Sequence, residues 1–397
     1  MLVAAALLGA ALGADRLFHR IGVPAPLAFL LAGLALGNAW GASTAAITPE
    51  RLTIVGTLAL VVILLQGGLD SGLAALRREL APVLALGVIG TGITFGLVAL
   101  AAHAVLELAW TPALIVGAIL APTDPAAVFS VLGGWRERGG RVVRLLEGEA
   151  GFNDPVAIAL VIALVDAAKA GNLSPLEIAG KMAIEGGVGA AIGLAVGAGV
   201  ARVLGPAWPV VRMAPALAVL AAGFGVFGLA TLAHGSGFLA VYLCGLVIGD
   251  DRDLPERSEV LAFSAELALL AEIAMFVLLG VALAAVSIAS VLVDGLLLAA
   301  ILVLAIRPIV CYPLLRRLRF SASEASFATV AGLKGAVPIL LGAIPVMEGV
   351  EDASRIFATV GLVVLASLAV QGIALARLAP RLLEPDHQAG QAEGKKR

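Results

Sequence analysis

The chain has 397 residues, of which 61% are hydrophobic and 14% are charged, with a mean hydropathy of +1.06 and a formal net charge of −2. Because an ordinary soluble domain is only about 45–50% apolar, this composition excludes that class and indicates a polytopic membrane protein. The near-neutral charge gives no indication of a nucleic-acid partner. The two cysteines, Cys244 and Cys311, lie in apolar segments, and they indicate packing residues rather than a disulfide framework.

Apolar windows predict the number of membrane spans, because a spanning helix needs about 20 consecutive apolar residues. They predict an all-α polytopic fold with about thirteen transmembrane helices. These spans cover residues 1–18, 23–40, 52–70, 81–105, 111–132, 147–168, 181–204, 213–233, 236–249, 261–285, 290–314, 324–346 and 354–376. The ninth span, 236–249, is short for a full crossing, and a tilted, broken or merged helix is the alternative there.

The basic residues predict the orientation in the membrane, since cytoplasmic loops carry an excess of Lys and Arg. The even-numbered loops hold only Arg51, Lys169, Lys181 and Arg355, whereas odd-numbered loops hold clusters such as 136–144. This alternation predicts a protein of the inner (cytoplasmic) membrane, with its N-terminus outside the cell and its C-terminus in the cytoplasm.

The two ends of the chain are interpreted separately. The segment 1–18 lacks the basic start of a cleaved signal sequence, so it is expected to be retained as the first span. All spans fall in one transmembrane domain, residues 1–383. The polar residues 384–397 are expected to form a short cytoplasmic tail without a separate regulatory domain.

Two spans contain residues that interrupt a helix. The fifth contains Pro122-Thr123-Asp124-Pro125, and the twelfth contains two glycines and a proline around a lone Lys334, within residues 332–338. Because proline removes a backbone donor, both spans are predicted to be broken near the membrane midplane, as is typical of secondary transporters. The fifth and twelfth positions favour two inverted repeats of six spans, related through a seventh linking span, in which the two breaks cross.

Two aspartates lie at the same predicted depth. Asp124 lies 12 residues before Arg136, and Asp154 lies 10 residues after Arg144. At about 1.5 Å per helical residue, both carboxylates are about 15–18 Å from the intervening basic loop, near the middle of a hydrocarbon core about 30 Å thick. A charge there costs about 2.5–3.5 kcal/mol even on lenient scales, so such residues mark ion pathways.

Asp154 is the predicted binding group for both a cation and a proton. A carboxylate shielded from bulk water binds a proton more readily than one in solution, and the proton removes the charge that attracts a metal cation. Oxygens of Thr123, Asp124 and Asn153 complete the predicted site, with Asp154 and Thr123 as the metal-cation ligands. Two alternative interpretations stay open. In the first, Asp154 pairs with a basic residue instead of binding an ion. In the second, Asp124 caps backbone amides of the opposite broken helix.

Glu149 is interpreted as structural. It lies five residues before Asp154, about 140° around a helix, so the two carboxylates point to different faces. Away from the span ends, the only basic residues inside spans are Arg307 and Lys334. A buried salt bridge between Glu149 and Arg307 satisfies both charges. Lys334 is expected to neutralise either Asp124 or helix C-terminal carbonyls.

Other residues of the spans have more general interpretations. Glycines four residues apart, Gly189, Gly193 and Gly197, predict close helix approach, either within the chain or at a dimer contact. In the tenth span, Glu266 and Glu272 are about 120° from a common face. Both residues are expected to lie on a lumenal or interface surface, and no role is assigned to them.

The ordered set of motifs resembles the monovalent cation:proton antiporters of the NhaP and eukaryotic sodium/proton exchanger type. These motifs are Thr123-Asp124-Pro125, Glu149 with Phe152-Asn153-Asp154, Arg307, and Gly332-Leu333-Lys334-Gly335-Ala336-Val337-Pro338. The resemblance covers almost the whole chain. It implies a homodimer whose protomer has a scaffold, roughly 1–75 and 210–286, and an ion-carrying core, roughly 81–168 and 290–378, that moves against the scaffold in an elevator-like way.

The resemblance also implies roles and stoichiometry. Asn153-Asp154 marks the electroneutral branch, one cation per proton, because electrogenic relatives carry two adjacent aspartates there. By similarity, Asp154 is the shared ligand, Thr123 contributes oxygens and Asp124 assists. Two supporting positions depart from many relatives: Gln66 replaces an acidic residue, and Lys334 replaces Arg.

The expected function is a secondary antiporter that exchanges a monovalent cation, with Na⁺ as the first candidate and K⁺ or Li⁺ as the others, for H⁺ by alternating access in pH homeostasis, without a cofactor. The main alternative is a potassium/proton antiporter of the same fold, since Phe152-Asn153-Asp154-Pro155 and residues 332–338 also resemble a bacterial potassium/proton subgroup. A cation channel lacks a carbonyl filter motif or charged ring, and an organic-anion symporter needs more basic or aromatic groups. An enzyme is disfavoured because His19, His103, His234 and His387 are scattered.

Overall fold

The computed structural model describes most of the chain, namely residues 24–40, 48–124, 127–128, 140–171, 173–204, 214–251, 254, 256–379 and 382. The predicted first span (1–18), the tail (384–397) and Arg136 lie outside these residues. Within the described part the regular structure is helical, and no β-strand occurs there.

The helices are numbered here in chain order. They are α1 (Ala25–Trp40), α2 (Pro49–Ser71), α3 (Leu80–Val105), α4 (Trp110–Leu120), α5 (Gly140–Ala170), α6 (Pro175–Leu204), α7 (Pro215–Leu232), α8 (Gly237–Gly249), α9 (Arg257–Ala284), α10 (Ile288–Arg317), α11 (Ala322–Val330), α12 (Ala336–Met347) and α13 (Ala353–Ala379). A short helix, Leu73–Arg78, follows α2. The predicted spans from the second to the thirteenth each overlap one of these helices, with α11 and α12 together in the twelfth. The sixth starts earlier than predicted, at Gly140 instead of 147.

Length and composition show that the chain is a multi-pass membrane protein. In the part of the chain that the structure describes, eight helices are long and apolar enough to cross a membrane, namely α2, α3, α5, α6, α7, α9, α10 and α13. Four shorter apolar helices lie among them, namely α1, α4, α8 and α12.

Two spans are interrupted where the sequence places helix-breaking residues. α4 ends at Leu120 and is followed by the non-helical residues 121–124, and residues 331–335 separate α11 from α12. Pro338 lies in the first turn of α12, where a missing N–H is tolerated. The backbone N–H of Asp124 donates to the carbonyl of Leu333 at 2.9 Å. The two interruptions are therefore in direct contact.

Among the described helices, three long ones each contain a π-turn. These turns cover 85–90 in α3, 302–306 in α10 and 367–371 in α13. π-Turns are rare, and they are frequent at functional sites. The turn in α10 directly precedes Arg307, and the turn in α13 begins at Ser367.

α8 is a continuous helix that is too short for a full crossing. Its 13 residues give a length of about 20 Å, against a hydrocarbon core of about 30 Å. Ten of them are buried, because α8 packs between α2 and α6. The helix therefore faces protein on most sides, which explains how a short span is accommodated.

The glycines of α6 that are spaced four residues apart, Gly189, Gly193 and Gly197, serve packing within the chain. A Cβ built at Gly193 would lie 2.5 Å from the carbonyl oxygen of Ala240 in α8, and one at Gly189 would lie 2.5 Å from that of Ser236. Both positions require glycine for this close approach. Of the two predicted explanations for the glycine spacing, the structure shows packing against a neighbouring helix of the same chain.

We expect Gly193→Ala to lower the free energy of unfolding by about 1–3 kcal/mol, because overpacking pushes α6 away from α8. Gly199, on the same helix, provides the control, because a Cβ there meets no atom within 4 Å. Gly199→Ala adds helix propensity and stabilises by up to about 1 kcal/mol. Thermal unfolding in detergent measures both variants. Equal midpoints would contradict the close packing of α6 on α8.

Candidate functional site

A cavity of about 410 Å³ lies where α1, α2, α8 and α9 meet α5 and α12. Its walls are mainly apolar, and they include Phe29, Leu64 and Met275. The polar side chains that line it are five carboxylates, one amide and one phenol, namely Asp70, Asp124, Glu147, Asp154, Glu272, Gln66 and Tyr242. The two predicted mid-membrane aspartates therefore share one cavity.

Asp154 lies on α5 with only 6% of its surface exposed. Its Oδ1 has no hydrogen-bond partner among the described residues. Pro155 follows within the helix and removes the N–H that would otherwise pair with the carbonyl of Gly151. Gly151 also lines the cavity. The sequence of α5 thus places a buried carboxylate and a backbone oxygen without its helical partner close together.

Asn153 and Thr123 connect α5 to the break after α4. The Asn153 amide donates to the Thr123 hydroxyl oxygen at 2.9 Å, and both side chains are buried. The amide oxygen of Asn153 has no partner among the described residues. This hydrogen bond fixes Thr123 beside the residue that precedes Asp154.

Asp124 is half-buried in the break and lies near the start of α12. Its Oδ1 accepts from the N–H of Ala127 at 3.3 Å. Its Oδ2 lies beside Gly335, where a Cβ would come within 1.6 Å of it, and Gly335 immediately precedes α12. A carboxylate is favourable at a helix N-terminus. Asp124 thus occupies a position that fits both predicted alternatives, a capping group and a cavity-lining ligand.

Lys334 is buried in the second break and contacts the end of α4. Its ammonium group donates to the carbonyls of Ala121 at 3.0 Å and Pro122 at 2.7 Å. A cation is favourable at a helix C-terminus, where carbonyls lack partners. Of the two predicted roles for Lys334, this contact is the one with helix C-terminal carbonyls.

Arg307 on α10 lies against Glu149 on α5. Its Nη1 is 2.6 Å from Oε1 of Glu149, and its Nη2 is 3.1 Å from Oε2. Nη2 also donates to the carbonyl of Ala328 at 3.2 Å, in the last turn of α11. Arg307 and Glu149 are 6% and 1% exposed. The guanidinium therefore neutralises a buried carboxylate and also caps a half-helix.

The remaining polar residues differ in how they meet the cavity. Gln66 lines it, is 8% exposed, and has a carbonyl oxygen without a partner among the described residues. Glu272 also lines it, whereas Glu266 is exposed on α9. Tyr242 was not anticipated from the sequence. Its buried ring lines the cavity and packs edge-on against Phe152, at 5.9 Å between centroids. The available signal was a single phenol in the apolar α8.

Comparison with known proteins identifies the family. A family model described as "Sodium/hydrogen exchanger, transmembrane" matches residues 3–380. The chain belongs to this sodium/hydrogen exchanger family. Its fold is similar to that of the sodium proton antiporter MjNhaP1 from Methanocaldococcus jannaschii, with a TM-score of 0.73, 23% identity and 96% coverage of both chains.

Three relatives of this exchanger-family chain differ in how much they share with it. It is 34% identical to the K(+)/H(+) antiporter NhaP of Alkalimonas amylolytica and 33% identical to the K(+)/H(+) antiporter NhaP2 of Shewanella sp. (strain MR-4). These matches cover 94% and 92% of the chain, which spans 65% and 64% of the relatives' lengths. The Na(+)/H(+) antiporter ApNhaP of Aphanothece halophytica is 30% identical over 44% of this chain and 33% of its own length.

The candidate site of this exchanger-family chain has ligands that suit a small hard cation. Such ions prefer oxygen ligands, and the cavity that Asp154 lines presents carboxylate and amide oxygens. The two basic side chains near the breaks do not neutralise this site directly, because Arg307 contacts Glu149 and Lys334 contacts backbone carbonyls. Neither is in a salt bridge with Asp154 among the described contacts.

We expect Arg307→Met to lower the free energy of unfolding by about 3–5 kcal/mol, because it leaves Glu149 buried without a counter-ion. The double variant Glu149→Met, Arg307→Met removes both charges, and it should cost less than the sum of the two single changes. Unfolding in detergent measures the cycle. Lys169→Met is the control, since its pair with Glu348 is exposed and worth about 0–1 kcal/mol. Additive single effects would argue against a coupled buried pair.

Proposed function

We propose that this chain is a secondary antiporter that exchanges a monovalent cation for a proton by alternating access, with Asp154 as the shared binding group. The supporting observation is a buried carboxylate oxygen that lines a cavity and has no hydrogen-bond partner among the described residues. A buried acid without such a partner is retained where it binds an ion. Thr123, Asp124 and Asn153 supply the neighbouring oxygens.

Exchange follows from competition at one carboxylate. When Asp154 is ionised, it attracts a cation. When it is protonated, that attraction is lost. If the site opens alternately to the two membrane faces, occupation by one ion at a time gives antiport without leakage of either. No cofactor is needed, because the two transported ions are the only reactants.

The stoichiometry proposed is one cation per proton. Asn153 is neutral, and it is engaged with Thr123 at 2.9 Å, so it adds no second titratable charge beside Asp154. A cycle that carries one cation in one direction and one proton in the other moves no net charge. The exchange is therefore electroneutral.

Na⁺, K⁺ and Li⁺ are the candidate cations, and two observations favour K⁺. The two relatives that match over 94% and 92% of the chain are named K(+)/H(+) antiporters. In addition, Gln66 presents a neutral oxygen to the cavity. A ligand set of weaker field favours the ion that loses its hydration shell more easily, which is K⁺.

The proposed moving parts are the scaffold, roughly 1–75 and 210–286, and the core, roughly 81–168 and 290–378. Helix packing supports this division, since α1 packs on α9 and α2 on α8 within the scaffold, whereas α12 packs on α13 within the core. The cavity lies between the two sets. The paired breaks, and the π-turns in α3 and α10, support the inverted repeats. The proposal includes a homodimer in the inner membrane, with the N-terminus outside and the C-terminus in the cytoplasm.

Asp154→Asn is expected to abolish cation-dependent proton transport in proteoliposomes, because the amide neither ionises nor binds a proton at physiological pH. Asp166→Asn is the matched control. Asp166 lies on the same helix, but it is exposed and paired with Lys181 at 2.7 Å, a surface pair worth about 0–1 kcal/mol. The control should retain transport. Full activity in Asp154→Asn would remove Asp154 from its assigned role.

The cation and the stoichiometry are tested with the unmodified chain. Proteoliposomes that contain a pH-sensitive dye receive K⁺, Na⁺ or Li⁺ in turn, with and without a clamped membrane voltage. We expect cation-dependent proton movement that is insensitive to voltage and greatest with K⁺. Voltage-driven charge movement would contradict the one-for-one exchange, and absence of proton movement with all three cations would contradict antiport.

A further inference from the structure

α13 buries a polar pair in its π-turn. Ser367 and Gln371 are 1% and 4% exposed within an otherwise largely apolar span. The Ser367 hydroxyl donates to the side-chain amide oxygen, Oε1, of Gln371 at 2.5 Å. It accepts from the backbone N–H of Lys334 at 2.9 Å. The pair therefore reaches the break between α11 and α12.

This contact has a physical reason in the break itself. Residues 331–335 leave the helical pattern, so their N–H groups need partners other than a helix carbonyl, and unpaired ones are costly inside a membrane. The side-chain amide oxygen of Gln371 can only accept a hydrogen bond, so the Ser367 hydroxyl directs its hydrogen to it. A lone pair of the hydroxyl then points to the N–H of Lys334. Gln371 thus orients the group that holds Lys334.

The other end of Lys334 reaches the cation site. Its ammonium group binds the carbonyls of Ala121 and Pro122, and Thr123 follows directly in the chain. A continuous chain of contacts therefore runs from Gln371 through Ser367 and Lys334 to the segment that carries Thr123. Hydrogen bonds to a charged group are stronger than those between neutral groups, so displacement of the lysine also displaces the segment it binds.

We propose that Ser367 and Gln371 are positioning residues for the cation site: they hold Lys334 where its ammonium group binds Ala121 and Pro122, and so they place the oxygens of Thr123 relative to Asp154. This inference rests on the proposed function and names further residues of that same site. Loss of the pair changes where ligand oxygens lie while Asp154 itself remains. The main effect is therefore on cation affinity and not on the maximal rate.

The same helix supplies a matched control. Thr359 is also fully buried, and its hydroxyl has no hydrogen-bond partner among the described residues. Thr359→Val removes a buried hydroxyl of the same kind without breaking a contact. It reports what a change in the packing of α13 does by itself.

The experiment compares Ser367→Ala, Gln371→Met, Ser367→Thr and Thr359→Val with the unmodified chain. The half-saturating cation concentration and the maximal rate are measured in proteoliposomes, and the cation-dependent rise in unfolding midpoint is measured in detergent. We expect Ser367→Ala and Gln371→Met to raise the half-saturating concentration about tenfold, with the maximal rate within about twofold. Ser367→Thr should retain affinity because it keeps the hydroxyl, and Thr359→Val should leave it unchanged.

Distinct results would overturn the positioning role. One is an unchanged half-saturating concentration in both Ser367→Ala and Gln371→Met. Another is an equal loss in Thr359→Val, which would reduce the pair to a packing element. If Ser367→Ala does not fold, Gln371→Met decides. If the unmodified chain neither exchanges ions nor is stabilised by any cation, the proposed function itself is wrong. If a cation stabilises the variants as much as it stabilises the unmodified chain, only the positioning role is refuted.

Discussion

The satisfaction of backbone polar groups at two breaks inside a membrane is the constraint on which this structure depends. Unpaired carbonyls in hydrocarbon are costly, and each break ends a half-helix whose last carbonyls lack partners. Two buried cations meet this need. Lys334 binds carbonyls at the end of α4, and Arg307 binds one in the last turn of α11. The first role of each of these two basic side chains is therefore structural, because each satisfies backbone carbonyls at a break.

The caps also determine what remains available for a transported ion. Because Lys334 is engaged with Pro122 and Arg307 with Glu149, Asp154 is left as a buried carboxylate without a basic partner among the described contacts. The hydrogen bond from Asn153 to Thr123 then ties α5 to the first break. A rigid arrangement of this kind holds ligand oxygens in place without further ordering when an ion arrives, which favours binding.

Local sequence patterns predicted much of the fold, because apolar length and helix-breaking residues act locally. The interruptions around Thr123-Asp124 and Lys334 follow from proline and glycine. The salt bridge between Glu149 and Arg307 could be predicted because few basic residues inside spans were available to pair with Glu149. The contact of Lys334 with carbonyls, the orientation of Ser367 towards a break 33 residues away, and the ring of Tyr242 in the cavity depend on how helices cross, and no local pattern contains that information.

The charges at the breaks bear on the proposed exchange. Glu149 and Asp154 are buried carboxylates, Asp124 is half-buried, and Arg307 and Lys334 are buried cations. With all five ionised, the group carries one excess negative charge in surroundings where an uncompensated charge is costly. One proton or one monovalent cation at Asp154 neutralises the group, and both together would leave it positive. Electroneutrality of this buried cluster thus favours occupation by one ion at a time, which is the condition that coupled one-for-one antiport requires.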